Sequence, residues 1–215
     1  MYKLCVFDLD GTIVYTIEDI AASLNRALEK NGFPKLSERK VQAIVGHSTA
    51  YMCQNALPDD ARETCWKQLH RDFQEDYYRH CCDHSHPYEG VLRTLSRLKK
   101  AGVRLAVVSN KPHKDTTRVI ETLFPRDTFC MVLGMMEKYR KKPDPEPLEF
   151  VLNYLGVEKK DAIYVGDSDV DVEFARNTGL DCVSCTWGYR SRKQLLEAGA
   201  TCLIDDFEEL LQIVL

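Results

Sequence analysis

Two acids stand at the end of the first apolar run, Cys5-Val6-Phe7-Asp8-Leu9-Asp10-Gly11-Thr12. Ionised carboxylates are almost never buried without a partner, so a strand ending in Asp8 and Asp10 carries them out of the core and into a site. The pair suits a divalent cation, and Gly11 lets the backbone turn sharply behind it. Three later segments add polar groups of the right kinds: Ser109-Asn110, the loop Lys141-Lys142-Pro143, and Gly166-Asp167-Ser168 with Asp171. Together they supply carboxylates for a hard cation, a hydroxyl and an amide as donors, and a lysine. Phosphoryl transfer asks for such a set, with cations and donors around the equatorial oxygens and an in-line nucleophile.

For these groups to meet, each must follow a strand of one parallel sheet, because ligands bind beyond the carboxyl ends of such strands. The apolar runs 103–108, 129–133 and 162–165 read as buried strands, with further strands at Cys182-Val183-Ser184-Cys185 and Leu203-Ile204. Helical patterns of ten or so residues separate them, stopped by Gly102, Gly156 and Gly179. Strands alternating with helices imply an α/β fold with a doubly wound parallel sheet, a Rossmann-like core. Residues 15–85 break this alternation. Thr16-Ile17-Glu18-Asp19 reads as a capping box, and apolar residues from Ile17 to Leu28 follow at helical spacing. Ser37 caps a second helix through Val45, another pattern runs from Met52 to Leu57, and Pro58-Asp59 opens a long polar-aromatic helix. The expected organisation is a core of residues 1–14 and 86–215 with an inserted all-helical cap at 15–85. A long insertion directly after a site-bearing turn would sit over that site as a lid.

Composition narrows the function classes. The chain has 215 residues, 44% hydrophobic and 29% charged, as in ordinary globular proteins. A net charge of -4 argues against a nucleic-acid groove, which needs a broad basic surface. A small anionic substrate needs only a few local cations. No stretch approaches the roughly 20 apolar residues of a membrane helix, and Asp8 interrupts the N-terminal run too early for a signal peptide. Nine cysteines without such a leader are read as reduced thiols in a cytoplasm.

The four strand-end motifs resemble those of the haloacid dehalogenase superfamily. Asp8-Leu9-Asp10-Gly11-Thr12 resembles its first motif, Val108-Ser109-Asn110 the second, Lys142-Pro143 the third, and Gly166-Asp167-Ser168 through Asp171 the fourth. The stretch 20–28, the turn Val45-Gly46-His47 and Trp187-Gly188-Tyr189-Arg190-Ser191 are similar to the phosphoglycolate phosphatase subgroup. The resemblance implies a Mg²⁺-dependent phosphatase for a small phosphate monoester. Asp8 would be the nucleophile that forms an aspartyl-phosphate. Asp10 would protonate the leaving oxygen, later activate water, and reach Mg²⁺ through its backbone carbonyl. Ser109 and Asn110 would hold the phosphoryl group, with Thr12, Gly46 and His47 also toward the substrate. Lys142 would neutralise charge, Asp167 would complete the metal site with Asp8 and Asp10, and Ser168 and Asp171 would support the loop. Members that cleave carbon–halogen bonds lack an acid where this chain has Asp10, because a halide leaves without a proton.

Other readings compete. A phosphosugar mutase or a nucleotide or pyrophosphate phosphatase would use the same scaffold with a different cap pocket. A phospho-accepting signalling module would place its acceptor Asp after a central later strand, where this chain has Ser109, and needs no seventy-residue lid. His80-Cys81-Cys82-Asp83-His84-Ser85-His86 lacks the spacing of a zinc site and reads as a polar hinge. Cys182 and Cys185 sit in a strand rather than at a helix N-terminus and read as buried thiols. Tyr15 stands where the subgroup commonly has Asp, and Glu89 where it commonly has Pro. Both lie near the linkers, so they bear on cap closure.

Overall fold

In the computed structural model, which describes residues 1–215, every strand expected from the apolar runs forms. The first half of the chain comprises β1 Leu4–Phe7, β2 Val14–Tyr15, α1 Ile17–Lys30, α2 Glu38–Ile44, α3 Thr49–Ala56, α4 Arg62–His80, β3 His86–Pro87 and α5 Val91–Lys100. Then come β4 Arg104–Pro112, α6 His113–Leu123, β5 Met131–Met135, α7 Glu146–Leu155, β6 Ala162–Gly166 and α8 Asp169–Thr178. The chain ends with β7 Asp181–Cys185, α9 Arg192–Ala198, β8 Leu203–Ile204 and α10 Leu210–Val214.

Six strands form one parallel sheet in the order β5-β4-β1-β6-β7-β8. Each central strand is buried on both faces, and successive residues go to opposite sides as the two-residue period requires. Cys5, Phe7, Leu105, Val107, Ile163 and Val165 pack into the larger core cluster, while Leu4, Val6, Ala106, Val108, Ala162 and Tyr164 pack into the second. β1 lies between β4 and β6, so the chain winds outward in both directions from it. Its carboxyl end is the topological switch point, where such sheets hold ligands. The fold is the doubly wound α/β arrangement that the alternation of elements predicts. No helix is long and apolar enough to cross a membrane.

Between β2 and β3 the chain is helical throughout, and these two short strands pair antiparallel, Val14 with Pro87 and Tyr15 with His86. Tyr15 therefore belongs to a strand rather than to the helical stretch. Its ring lies 5.2 Å from that of His86 and 5.9 Å from that of Tyr88. The expected capping box at Thr16 does not form. Its two polar groups are used elsewhere. The Thr16 hydroxyl donates to Asp10 at 2.7 Å, and Asp19 accepts from the backbone N–H of His84 and Ser85 and from the Ser85 hydroxyl. Asp19 thereby ties the returning linker to α1. The hinge stretch uses its other groups locally as well, with His80 paired to Asp83 at 2.7 Å.

Some boundaries differ from the sequence reading. The long helix begins at Arg62 rather than at Pro58, α2 stops at Ile44, and α3 starts earlier, at Thr49, capped by Ser48. β5 begins at Met131 because the rings of Phe129 and Phe124 pack edge to face at 5.2 Å before the ladder starts. β4 continues through Ser109, Asn110 and Lys111 to Pro112, but irregularly. Val108 pairs with Leu133 and Pro112 with Met135, so four steps on β4 face two on β5. A bulge of this kind re-aims side chains, and it falls on the residues that line the site.

Candidate active site

The carboxyl ends of β1, β4 and β6 converge, and with the loop at Lys142 they build a cluster of buried charge. Gly11 turns the chain after β1 at a φ of 84°, and a Cβ there would lie 2.5 Å from Asp167 Oδ2. Gly188 closes on Asp167 from the other side, where a Cβ would meet the Asp167 side chain at 2.2 Å. Between the two glycines the Asp167 carboxylate accepts from Thr12 Oγ1 at 2.9 Å and from the Tyr189 backbone N–H at 2.7 Å.

Asp171 opens α8 in a capping box with Ser168. One of its oxygens accepts from Lys142 Nζ at 2.7 Å and from the Tyr164 hydroxyl at 2.9 Å. The other accepts from Ser168 Oγ at 2.6 Å and from the Ser168 N–H at 3.1 Å. Lys142 Nζ also lies 2.9 Å from Asp8 Oδ1, although without an aligned hydrogen bond to it. Burial opposes ionisation of Asp171, yet Lys142, Ser168 and Tyr164 outweigh it and hold the carboxyl below its ordinary range. Burial likewise works against the charge of Lys142, and Asp171 and Asp8 more than compensate.

Asp8 and Asp167 are left in surplus. Burial, together with the neighbouring carboxylates, pushes Asp8 up to about 7 despite Lys142, and pushes Asp167 up to about 8. Ligand oxygens of Asp8, Asp167 and Asp171 lie within 4.8 Å of one another. Three buried carboxylates against one ammonium make a cluster short of positive charge, and Asp8 Oδ1 has Lys142 alone beside it. Oxygen-only donors and excess buried negative charge fit a hard divalent cation. Since Asp171 is committed to Lys142 and to the loop, Asp8 and Asp167 carry the free capacity.

Asp10 goes elsewhere. Its two oxygens lie 2.8 and 3.0 Å from Lys111 Nζ, and Thr16 Oγ1 donates to it as well. The side chain is thus free of the metal cluster, in keeping with a metal contact through the Asp10 backbone carbonyl only, and its partner Lys111 carries no signal in the sequence pattern. Two residues expected toward the substrate also have partners within the protein. Thr12 is fully buried and spends its hydroxyl on Asp167. The Asn110 amide accepts from the Lys142 backbone N–H at 2.8 Å and donates to the carbonyls of Lys142 at 3.1 Å and Gly46 at 3.2 Å. It therefore joins three segments, and it also lines the cavity above Asp8. Ser109, Gly46 and His47 do line the cavity above Asp8 and Asp10, with Ile20, Val45, Met52, Phe73 and Tyr77 as its apolar wall. The space measures about 50 Å³. That volume admits roughly four water-sized groups.

The helical stretch is gripped from the core. Arg190, on the loop after β7, donates to Val45 O at 2.9 Å, Gln42 O at 3.3 Å and Asp169 Oδ1 at 3.0 Å. It satisfies carbonyls at the carboxyl end of α2, where the helix dipole favours a cation. Arg190 and Tyr189 appear in the sequence only as part of a subgroup likeness. Tyr164 carried a usable signal, because a tyrosine inside an otherwise apolar strand needs a partner for its hydroxyl.

Comparison with known proteins agrees with the geometry. Residues 5–185 match the sequence profile of the haloacid dehalogenase-like hydrolases. The chain is 34% identical over 221 residues to the phosphoglycolate phosphatase of Haemophilus influenzae (strain 86-028NP), covering 99% of this chain and 98% of the relative. It is 33% identical to that of Rhodospirillum rubrum, covering 98% of this chain and 90% of the relative. A crystal structure of a predicted phosphoglycolate phosphatase from Haemophilus somnus superposes with a TM-score of 0.91 at 31% identity, over 100% of this chain and 98% of the other. With its four strand-end motifs gathered at one sheet edge and its match extending through nearly the whole chain, this protein belongs to the haloacid dehalogenase-like hydrolases.

Proposed function

We propose that this hydrolase is a Mg²⁺-dependent phosphatase that cleaves a small phosphate monoester, phosphoglycolate or a close analogue, through an aspartyl-phosphate. The observation that carries the reading is the buried trio Asp8, Asp167 and Asp171, with one lysine among them, whose member Asp8 lines a small cavity at the switch point of the sheet. The names of the relatives support the substrate class. Asp8 and Asp167, with the backbone carbonyl of Asp10, would hold Mg²⁺, which when bound supplies positive charge against the phosphoryl oxygens.

In the first step an Asp8 carboxylate oxygen attacks phosphorus as the bond to the leaving oxygen breaks, and that oxygen takes a proton from Asp10. In the second step water attacks the same phosphorus and gives a proton to Asp10. The bond to Asp8 then breaks and phosphate is released. Lys142 balances charge beside Asp8, and Ser109 donates to the phosphoryl group. Asn110 acts as a positioning residue through the Lys142 loop and Gly46, while Thr12 orients Asp167. Residues 15–85 serve as a cap over a core of 1–14 and 86–215, with Gly46 and His47 at its contact with the leaving group. Nine free thiols favour a reducing cytoplasm as the setting.

The decisive experiment is phosphate release from a panel that includes phosphoglycolate, pyrophosphate, a hexose phosphate and a nucleoside monophosphate, with Mg²⁺ and with chelator. Wild type should turn over phosphoglycolate only with Mg²⁺, and Asp8→Asn should be inactive. Substantial activity in Asp8→Asn, or indifference to chelator, would refute the mechanism.

A further inference from the structure

Lys111 is the only cationic side chain in the cavity wall, and the mechanism above gives it no task. It is 6% exposed. Its ammonium uses hydrogen bonds on the two Asp10 oxygens alone and lies 4.6 Å from the centre of the Tyr77 ring on α4. An ammonium has three protons to donate, and the Asp10 carboxylate lies to one side of it. The other buried ammonium, Lys142, is already taken by Asp8, Asp171 and Tyr164. Burial depresses the His47 imidazole below its ordinary range, so it adds no positive charge. The remaining wall is largely apolar, with Ile20, Val45, Met52 and Phe73 facing the same space. Such a wall cannot solvate an anion, so an anionic group entering this space has only the Lys111 ammonium to meet its charge.

We propose that Lys111 is the residue that selects the leaving group. It takes the carboxylate of a short carboxy-bearing phosphomonoester, exchanging part of its pairing with Asp10 for a substrate oxygen. This rests on the phosphatase reading and deepens it by assigning the recognition of the tail to one side chain. With the phosphoryl end at Asp8, the tail would extend along the same cavity toward Lys111 at the irregular end of β4. A neutral tail of equal length leaves Lys111 wholly on Asp10.

The test compares kcat/KM for phosphoglycolate and 2-hydroxyethyl phosphate, which differ in tail charge but not in length, in wild type and Lys111→Met. Wild type should prefer the carboxylate ester by roughly 10- to 100-fold, the value of a hydrogen bond to a charged group. In Lys111→Met the preference should collapse toward parity, whatever happens to the absolute rates through the loss of the Asp10 pair. An equal loss for both esters, with the wild-type preference intact, would overturn the proposal. Equal turnover of the two esters by wild type would overturn it without any variant and would leave the phosphatase reading standing. Turnover of neither would sink both.

Discussion

Replacing Thr12 with Val removes one hydroxyl and keeps the shape of a fully buried side chain. Asp167 has two donors on its carboxylate, Thr12 Oγ1 at 2.9 Å and the Tyr189 N–H at 2.7 Å, and the variant leaves it one. A hydrogen bond to a charged group is worth about 1.5–3 kcal/mol. Losing a partner that orients a metal-ligating carboxylate typically costs roughly 10- to 100-fold in metal affinity. Thr12→Val should therefore weaken Mg²⁺ binding by roughly tenfold or more, measured by calorimetric titration of the metal-free protein. At saturating Mg²⁺ both kcat and the KM for the ester should return close to wild type. The opposite pattern would refute the reasoning: Mg²⁺ affinity within about twofold of wild type, with a large rise in KM, would mean that Thr12 serves the substrate and not Asp167.

Two further outcomes follow from contacts of the helical stretch between β2 and β3. Arg190→Ala removes the donors to Val45 O and Gln42 O and should lower kcat/KM by roughly 10- to 100-fold, with Mg²⁺ affinity unchanged. A parallel fall in metal binding would show that Arg190 acts on the cluster instead. Asp72 on α4 bonds Lys30, Asn31 and Gln68 at 2.7, 2.8 and 3.0 Å; burial opposes its ionisation, yet these donors hold its pKa down to about 2. Its folded value lies below the ~3.9 of a free Asp, so its contribution is complete above about pH 4 and is lost as pH falls toward 2. Asp72→Asn should flatten the acid limb of stability in that window, read from urea midpoints. An unchanged acid limb would rule out this lock between α1 and α4.

The sheet and the location of the site were legible in the chain because both depend on local pattern. Phe7, Val108 and Val165 end or nearly end buried runs, and the acids, hydroxyl and amide that follow them have nowhere to go but the carboxyl edge. Asp8, Ser109 and Asp167 needed only that logic to be singled out, whereas Lys142 is distinguished from Lys141 by the Pro143 that follows it. What each polar group touches needed the tertiary structure. Thr16 and Asp19 have the spacing of a capping box, yet their partners are Asp10 and the backbone of His84 and Ser85. Thr12 meets Asp167 across 155 positions of sequence, and Lys111 meets Asp10 across 101. Such pairs depend on the register of parallel strands and on a bulge in β4, neither of which leaves a periodic trace in the sequence. A short polar side chain bonds whichever partner the packed backbone brings within about 3 Å, and only the fold chooses that partner. The residue types settled what chemistry the chain could perform. The assembled sheet edge decided that Asp8, Asp167 and Asp171 gather in one buried cluster, while Asp10 lies against Lys111 in the cavity above.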